Sequence, residues 1–360
     1  MRARAQRLTR ETATATRPAT ILREVCGLQA QLLSAATLGV RARSAGLDAG
    51  KVNRALMEER SIVRTWLMRG TLHVVAAEDL RWLLQLLGPV FVRAGSTRHA
   101  QLGLDGDLKN KGVAAIRRIL TEEGPLTRYE LVDRLRRQHL VLDAKTQAPI
   151  HLIGLSALQG VLCLGPDRDD GESTYVLLDD WVAHAPTPSR ETALSELARR
   201  YFAAYGPATI EDLAAWSGIS MREARAAVTG ASAGLTDVTI QGRLGFIVKD
   251  RRKRLTMPSR PQVRLLPAFD TYLLGYRRRD LAVPPPLQRR LQRGGGWLHP
   301  AVVVNGRAIG AWSLRRSAGG GQVVVELSAP IGLATRTGIE TEVADIGRFL
   351  NRSLTIEIAG

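Results

Sequence analysis

ILTEEGPLTRYEL at residues 119–131 and YFAAYGPATIEDL at residues 201–213 share one reading, and that reading decides the fold. Each ends a helix at a Gly-Pro pair, Gly124-Pro125 or Gly206-Pro207. Each restarts a helix at a threonine two residues later, Thr127 or Thr209. An acid stands three positions further on, Glu130 or Asp212, the spacing of a capping box. The copies lie about 80 residues apart, the length of one small domain.

Outward from each corner the pattern continues alike. After the first, residues 127–138 place Leu131, Val132 and Leu135 on one helical face, residues 149–162 read as another helix, and residues 174–178 as a strand. After the second, residues 210–216 and 220–228 read as helices, Ser220 and Glu223 forming another cap. Residues 235–241 and 244–249 follow as strands joined through Gly242-Arg243. Helix, helix, helix, hairpin is the order of a winged helix, whose third helix commonly enters a DNA groove. A third copy is expected in the first 80 residues. Helices are read at 19–28 and 51–59, and a hairpin at 64–67 and 71–75 around Arg69-Gly70, before a new helix at 80–87.

The tail differs. Strands are read at 263–266, 301–304, 307–314, 323–327 and 354–358, with a hairpin turn at Asn305-Gly306 and a helix at 340–350. Residues 281–296, rich in Pro, Arg and Gly, read as a loop. The expected class is α+β: three tandem winged-helix domains (1–100, 101–185, 186–257) and a C-terminal β-barrel-like domain (258–360).

Fifty-one Lys and Arg against 34 Asp and Glu give a formal net charge of +17, a field that favours a polyanionic partner. No apolar run is long enough for a membrane helix and no secretory h-region follows the first residues, so no membrane contact and a cytoplasmic, nucleoid-associated location are expected. Two cysteines, Cys26 and Cys163, are too few and too far apart for a metal-binding knuckle and read as small buried residues.

The usual catalytic signatures are missing: no G-x-S-x-G, no H-E-x-x-H, no Walker loop. The six histidines show no metal spacing, and His73 and His151 read as satisfied structural residues. No metal or cofactor is expected. One motif stands out, Gly27-Leu28-Gln29-Ala30-Gln31. On a continuous helix the two amides would point about 200° apart. To face one site, the segment must be extended or lie at a helix end, and Gly27 offers the break. Polar residues on a helix surface are the plainer alternative.

GLQAQ, then RTWLMRGTLHVVAAEDLRWLL from Arg64, LLPAFDTYLLGYRRRD from Leu265 and WLHPAVVVNGRAIGAW from Trp297 together resemble the AlkZ-like family of bacterial DNA glycosylases. The likeness spans nearly the whole chain. It implies tandem winged helices with a C-terminal β-barrel, and a Gln-apolar-Gln catalytic motif that here falls on Gln29 and Gln31. It implies a monofunctional glycosylase for cationic alkylated purines in double-stranded DNA, such as N7-alkylguanine, N3-alkyladenine, bulky adducts or crosslinks. Family members also confer self-resistance on producers of DNA-alkylating natural products. Arg69, Arg277, Arg278, Arg289, Arg290, Arg293 and His299 are the candidate DNA contacts, and a monomer is expected because one chain carries several binding units. A transcriptional regulator without catalytic activity is the competing reading.

Overall fold

The computed structural model describes residues 1–143, 145–249, 259–292, 294, 296–317 and 319–359. After a short N-terminal helix, α1 (Arg2–Ala5), one order of elements recurs three times: helix, short extended pairing, helix, helix, hairpin. The first run is α2 (Pro18–Val25), β1 (Leu28–Gln29), α3 (Leu33–Arg41), α4 (Ala49–Met57), β2 (Ile62–Trp66) and β3 (Leu72–Ala76). Helices α5 (Ala77–Ala94) and α6 (Ser96–Gln101) lead to the second: α7 (Gly106–Glu123), β4 (Leu126–Thr127), α8 (Arg128–Arg137), α9 (Ala148–Leu158), β5 (Leu162–Asp167) and β6 (Ser173–Leu177). Past α10 (Leu178–Trp181) comes the third: α11 (Arg190–Tyr205), α12 (Ile210–Ser217), α13 (Met221–Ala231), β7 (Leu235–Ile240) and β8 (Arg243–Val248). There a single bridge, Ala208 to Phe246, replaces the first short strand.

The corners form for the reason their sequence gives. The hydroxyls of Thr127, Thr209 and Ser220 accept from the backbone N–H three residues on, and Glu130, Asp212 and Glu223 reach back to the cap N–H. Each box satisfies two otherwise orphaned donors.

The first two hairpins do not stand apart as wings. Strand β2 pairs with β5 at Arg64 and Leu164, joining both sets into one sheet of order β1-β3-β2-β5-β6-β4. The order is symmetric about its centre, each half being short strand, third strand, second strand. The third helix of the second run is also not free to meet DNA. In α9 the residues Pro149, Leu152, Ile153, Gly154, Leu155 and Leu158 are all buried. Its apolar surface runs right round, as expected of a core helix rather than a groove-reading one. The general expectation for third helices thus fails in the second copy. In the third copy, α13 keeps Arg222 and Arg225 exposed.

The C-terminal part is an open curled sheet, β13-β12-β11-β10-β9, built from β9 (Val263–Leu266), which is followed by the short helix α14 (Thr271–Leu274), and from β10 (Ala301–Val304), β11 (Arg307–Ser317), β12 (Gly320–Leu327) and β13 (Ser353–Ala359). Among the described residues β9 and β13 do not pair, so the expected barrel is a half-barrel. Helix α16 (Leu333–Leu350) fills it with Ile339, Val343 and Ile346. The pair β12–β13 is parallel, and α16 is its crossover. Residues 281–296, expected to be a loop, contain α15 (Pro285–Leu291), held by buried Leu287 and Leu291. Prolines in the first turn lack only N–H groups that a helix leaves unused.

Two buried arginines tie this half-barrel to the first run. Arg43 grips Asp270 through Nη1 and Nη2 at 2.8 and 2.7 Å, with both side chains wholly inaccessible. Arg41 donates to Glu342 and Asp345 at 2.9 Å each.

Candidate active site

The Gln-Ala-Gln segment is extended. Cys26 and Gly27 both adopt left-handed backbone (φ 55° and 87°), which ends α2 and turns the chain sharply into β1. A side chain at Gly27 would meet Val75 Cγ1 at 2.8 Å, so only glycine fits. Strand β1 pairs with β3 as Leu28–Val74 and Gln29–His73, and Ala30 N–H continues the ladder to Leu72 O at 2.7 Å. Side chains on a strand alternate in direction. Leu28 and Ala30 enter the core under α2–α4, so Gln29 between them points to the opposite face, and Gln31 follows just past the strand. The segment is thus extended, one of the two conformations the sequence left open, and not part of a continuous helix.

Both amide oxygens are held. Gln29 Oε1 accepts from Arg69 Nη2 at 2.6 Å, and Gln31 Oε1 accepts from the Leu72 N–H at 3.0 Å. Each partner can only donate, which fixes the oxygen end of each amide. Gln29 is buried, and Gln31 is exposed. Arg64 clamps the same segment from the far side, donating from Nε and Nη2 to Ala30 O at 3.2 and 3.1 Å.

Beside Gln29 in register stand His73 on β3 and Thr65 on β2, both fully buried. His73 is only half satisfied, contrary to its reading as a satisfied residue. Nδ1 lies 2.9 Å from Thr71 O, and Nε2 has no partner among the described residues. Because a carbonyl only accepts, Nδ1 carries the proton and Nε2 presents a lone pair. Burial, aided by the nearby Arg69 charge, depresses the His73 pKa to about 3, so the ring is neutral.

Arg69 sits at the tip between β2 and β3. Besides Gln29 it donates from Nη1 to Trp216 O, in the last turn of α12, at 2.5 Å. Burial lowers its pKa, and Arg279 is close enough to lower it further. The neighbouring basic residues form a cleft of about 310 Å³ lined by Arg277, Arg278, Arg279, Gln288 and Gln292 among others. Arg277 and Arg278 are exposed, and the Arg277 N–H is anchored on Asp212 Oδ1 at 2.9 Å. On α15, Arg289 is exposed and Arg290 is paired with Glu326. His299 is half-buried, its N–H donating to Leu291 O at 2.8 Å. Arg293 lies outside the described residues. The structure therefore brings Gln29 and Arg69 together, holds Gln31 on the Leu72 N–H, and gathers Arg277 and Arg278 in a cleft.

Sequence reasoning missed three groups. Arg279, third in the Arg277–Arg279 run, is half-buried and fixed to Leu273 O at 2.9 Å. Arg64 was readable only as part of a resembling stretch. A second basic cleft of about 770 Å³, lined by Arg17, Arg23, Lys51 and Arg54 together with Glu59 and Glu78, combines residues far apart in sequence.

Winged-helix units, an extended Gln-Ala-Gln segment and basic clefts are the parts of a protein that acts on DNA. The family described as DNA glycosylase AlkZ-like matches residues 22–349, and the chain belongs to that family. It is 32% identical over 315 residues to the "Interstrand DNA cross-link repair glycosylase" of Streptomyces sahachiroi, covering 82% of this chain and 81% of that protein. The solved structure of the Streptomyces sahachiroi DNA glycosylase AlkZ superposes with a TM-score of 0.83 at 27% identity, covering 99% of this chain and 97% of that one.

Proposed function

We propose that this protein is a monofunctional glycosylase that hydrolyses the N-glycosidic bond of cationic alkylated purines in duplex DNA. Glycoside hydrolysis ordinarily needs an acid for the leaving group and a base for water. A purine alkylated at N7 or N3 already carries positive charge and departs neutral, so no acid is required. What remains is to hold a water at the sugar and to face the oxocarbenium-like centre with a partial negative charge. A carboxamide oxygen does both.

Gln29 is the water-holding group in this account and Gln31 its partner. The observation that carries it is the Gln29 amide oxygen, held in one orientation by Arg69 at the end of β1, with the Gln31 oxygen held two residues on by the Leu72 N–H. The clefts at Arg277–Arg279 and at Arg17–Arg54 supply phosphate contacts, with Arg289, Arg290 and His299 extending the first. The chain acts as a monomer in the nucleoid, divided into winged-helix domains at 1–100, 101–185 and 186–257 and a half-barrel at 258–360. Its relative's name, an interstrand cross-link repair glycosylase, supports extending the substrates to crosslinks. The buried α9 weighs against a regulator that reads operators with each third helix.

Incubation with duplexes carrying N7-methylguanine, N3-methyladenine or no lesion, followed by alkali, tests this reading. Breaks at the two cationic lesions alone are expected. Tight binding to one undamaged site without breaks would favour the regulator.

A further inference from the structure

The contact between Arg69 and Gln29 has the form of a fixed donor aimed at a mobile acceptor. Arg69 and Gly70 both lie in left-handed backbone (φ 57° and 67°), so the tip between β2 and β3 doubles back toward β1. The guanidinium is pinned independently of Gln29. Nη1 holds Trp216 O, one of the carbonyls that a helix end leaves without an internal partner. The C-terminal end of α12 also favours a cation. The Arg69 Cα lies 3.5 Å from where a Cβ at Gly218, the α12 cap, would stand, so tip and helix end are in close contact.

Gln29, by contrast, ends in a torsion with a broad two-fold preference, and its amide is free to flip unless a partner selects one end. Arg69 Nη2 makes that selection at 2.6 Å. An amide oxygen has two lone pairs, so one remains for water. We propose that Arg69 is a positioning residue rather than a phosphate contact. It fixes the Gln29 amide so that the free lone pair of Oε1 faces the reacting sugar, and it couples that alignment to the docking of α12. The proposal rests on the reading of Gln29 as the water-holding group. Lysine cannot substitute: a point charge on a flexible stem does not span two acceptors as a planar fork does.

The test compares Arg69→Lys, Arg69→Met, Gln29→Ala and Arg69→Met/Gln29→Ala with the parent. Excision of N7-methylguanine is measured in single turnover at saturating enzyme. Affinity for undamaged duplex is measured across a salt series, and thermal melting checks the fold. Both Arg69 variants should slow excision about a hundredfold, the scale of a misplaced reacting group. Undamaged affinity and its salt slope should be unchanged, and the double variant should be no slower than Gln29→Ala. If Arg69→Met melts early, Arg69→Lys decides. Parent-like excision in Arg69→Lys overturns the proposal. So does a salt slope shallower by about one, the mark of a lost phosphate contact. Parent-like excision by Gln29→Ala instead sinks the underlying reading of Gln29.

Discussion

Asp270→Asn is expected to unfold this protein's central joint without touching its chemistry. Asp270 lies in the Leu265–Asp280 stretch that resembles the family, which makes it a tempting catalytic candidate. The structure gives it another task. Its two oxygens receive Arg43 at 2.7 and 2.8 Å, Oδ1 also caps Tyr272 N–H at 2.8 Å, and neither side chain of the pair reaches solvent. Arg43 makes two further bonds, to Gln6 Oε1 and Gly39 O, so its guanidinium cannot swing out to water. An asparagine would leave this buried cation without its counter-charge, a loss of about 3–5 kcal/mol. Urea unfolding of the purified variant measures the cost, read from the transition that reports the half-barrel against the first run. Replacing both partners with apolar residues of similar volume should recover much of it, because the desolvation penalty disappears with the charges. A single variant within about 1 kcal/mol of the parent, no more than a neutral hydrogen bond contributes, would refute the argument.

Three further outcomes follow from the same geometry. The His73 pKa is near 3 in the fold and near 6.5 when unfolded, so between those values only the unfolded chain binds the proton and stability falls as pH falls. The loss should be about 1.4 kcal/mol per pH unit below 6.5, and urea unfolding of His73→Gln should lack that share of the slope. Gly27→Ala should cost excision activity and at least about 1 kcal/mol of stability, since it forces a Cβ onto Val75 in left-handed backbone; an unchanged melting curve would contradict it. Affinity for undamaged duplex should fall steeply with salt, and Arg277→Ala and Arg278→Ala should each flatten the log–log slope by about 0.9; an unaltered slope would remove that cleft from the interface.

Much of the fold was legible because its signals are local. The corners at Thr127 and Thr209 depend on residues three apart, and the structure closes both boxes. The hairpins at β2–β3 and β7–β8 were readable from alternation and turn residues. The pairing of β2 with β5 was not, since Arg64 and Leu164 meet only after two units dock. Helix α15 hid behind prolines that usually mark breaks but here occupy its first turn. Helix α16 begins at Leu333, earlier than expected, because its first turns face solvent and carry no apolar stripe before Ile339. The Gln29–Gln31 motif was visible in the residues only as a question of geometry; the resemblance supplied the proposed chemistry. Arg69 read as a surface contact because its burial depends on α12, which lies far along the chain.

The account stands on the Gln29 amide guiding water to a sugar whose base is already charged. The most direct measurement is the single-turnover rate at which Gln29→Ala removes N7-methylguanine from a duplex, set beside its affinity for that duplex. A rate lower by about a hundredfold or more with affinity held is the predicted result. Excision at the parent's rate would contradict it.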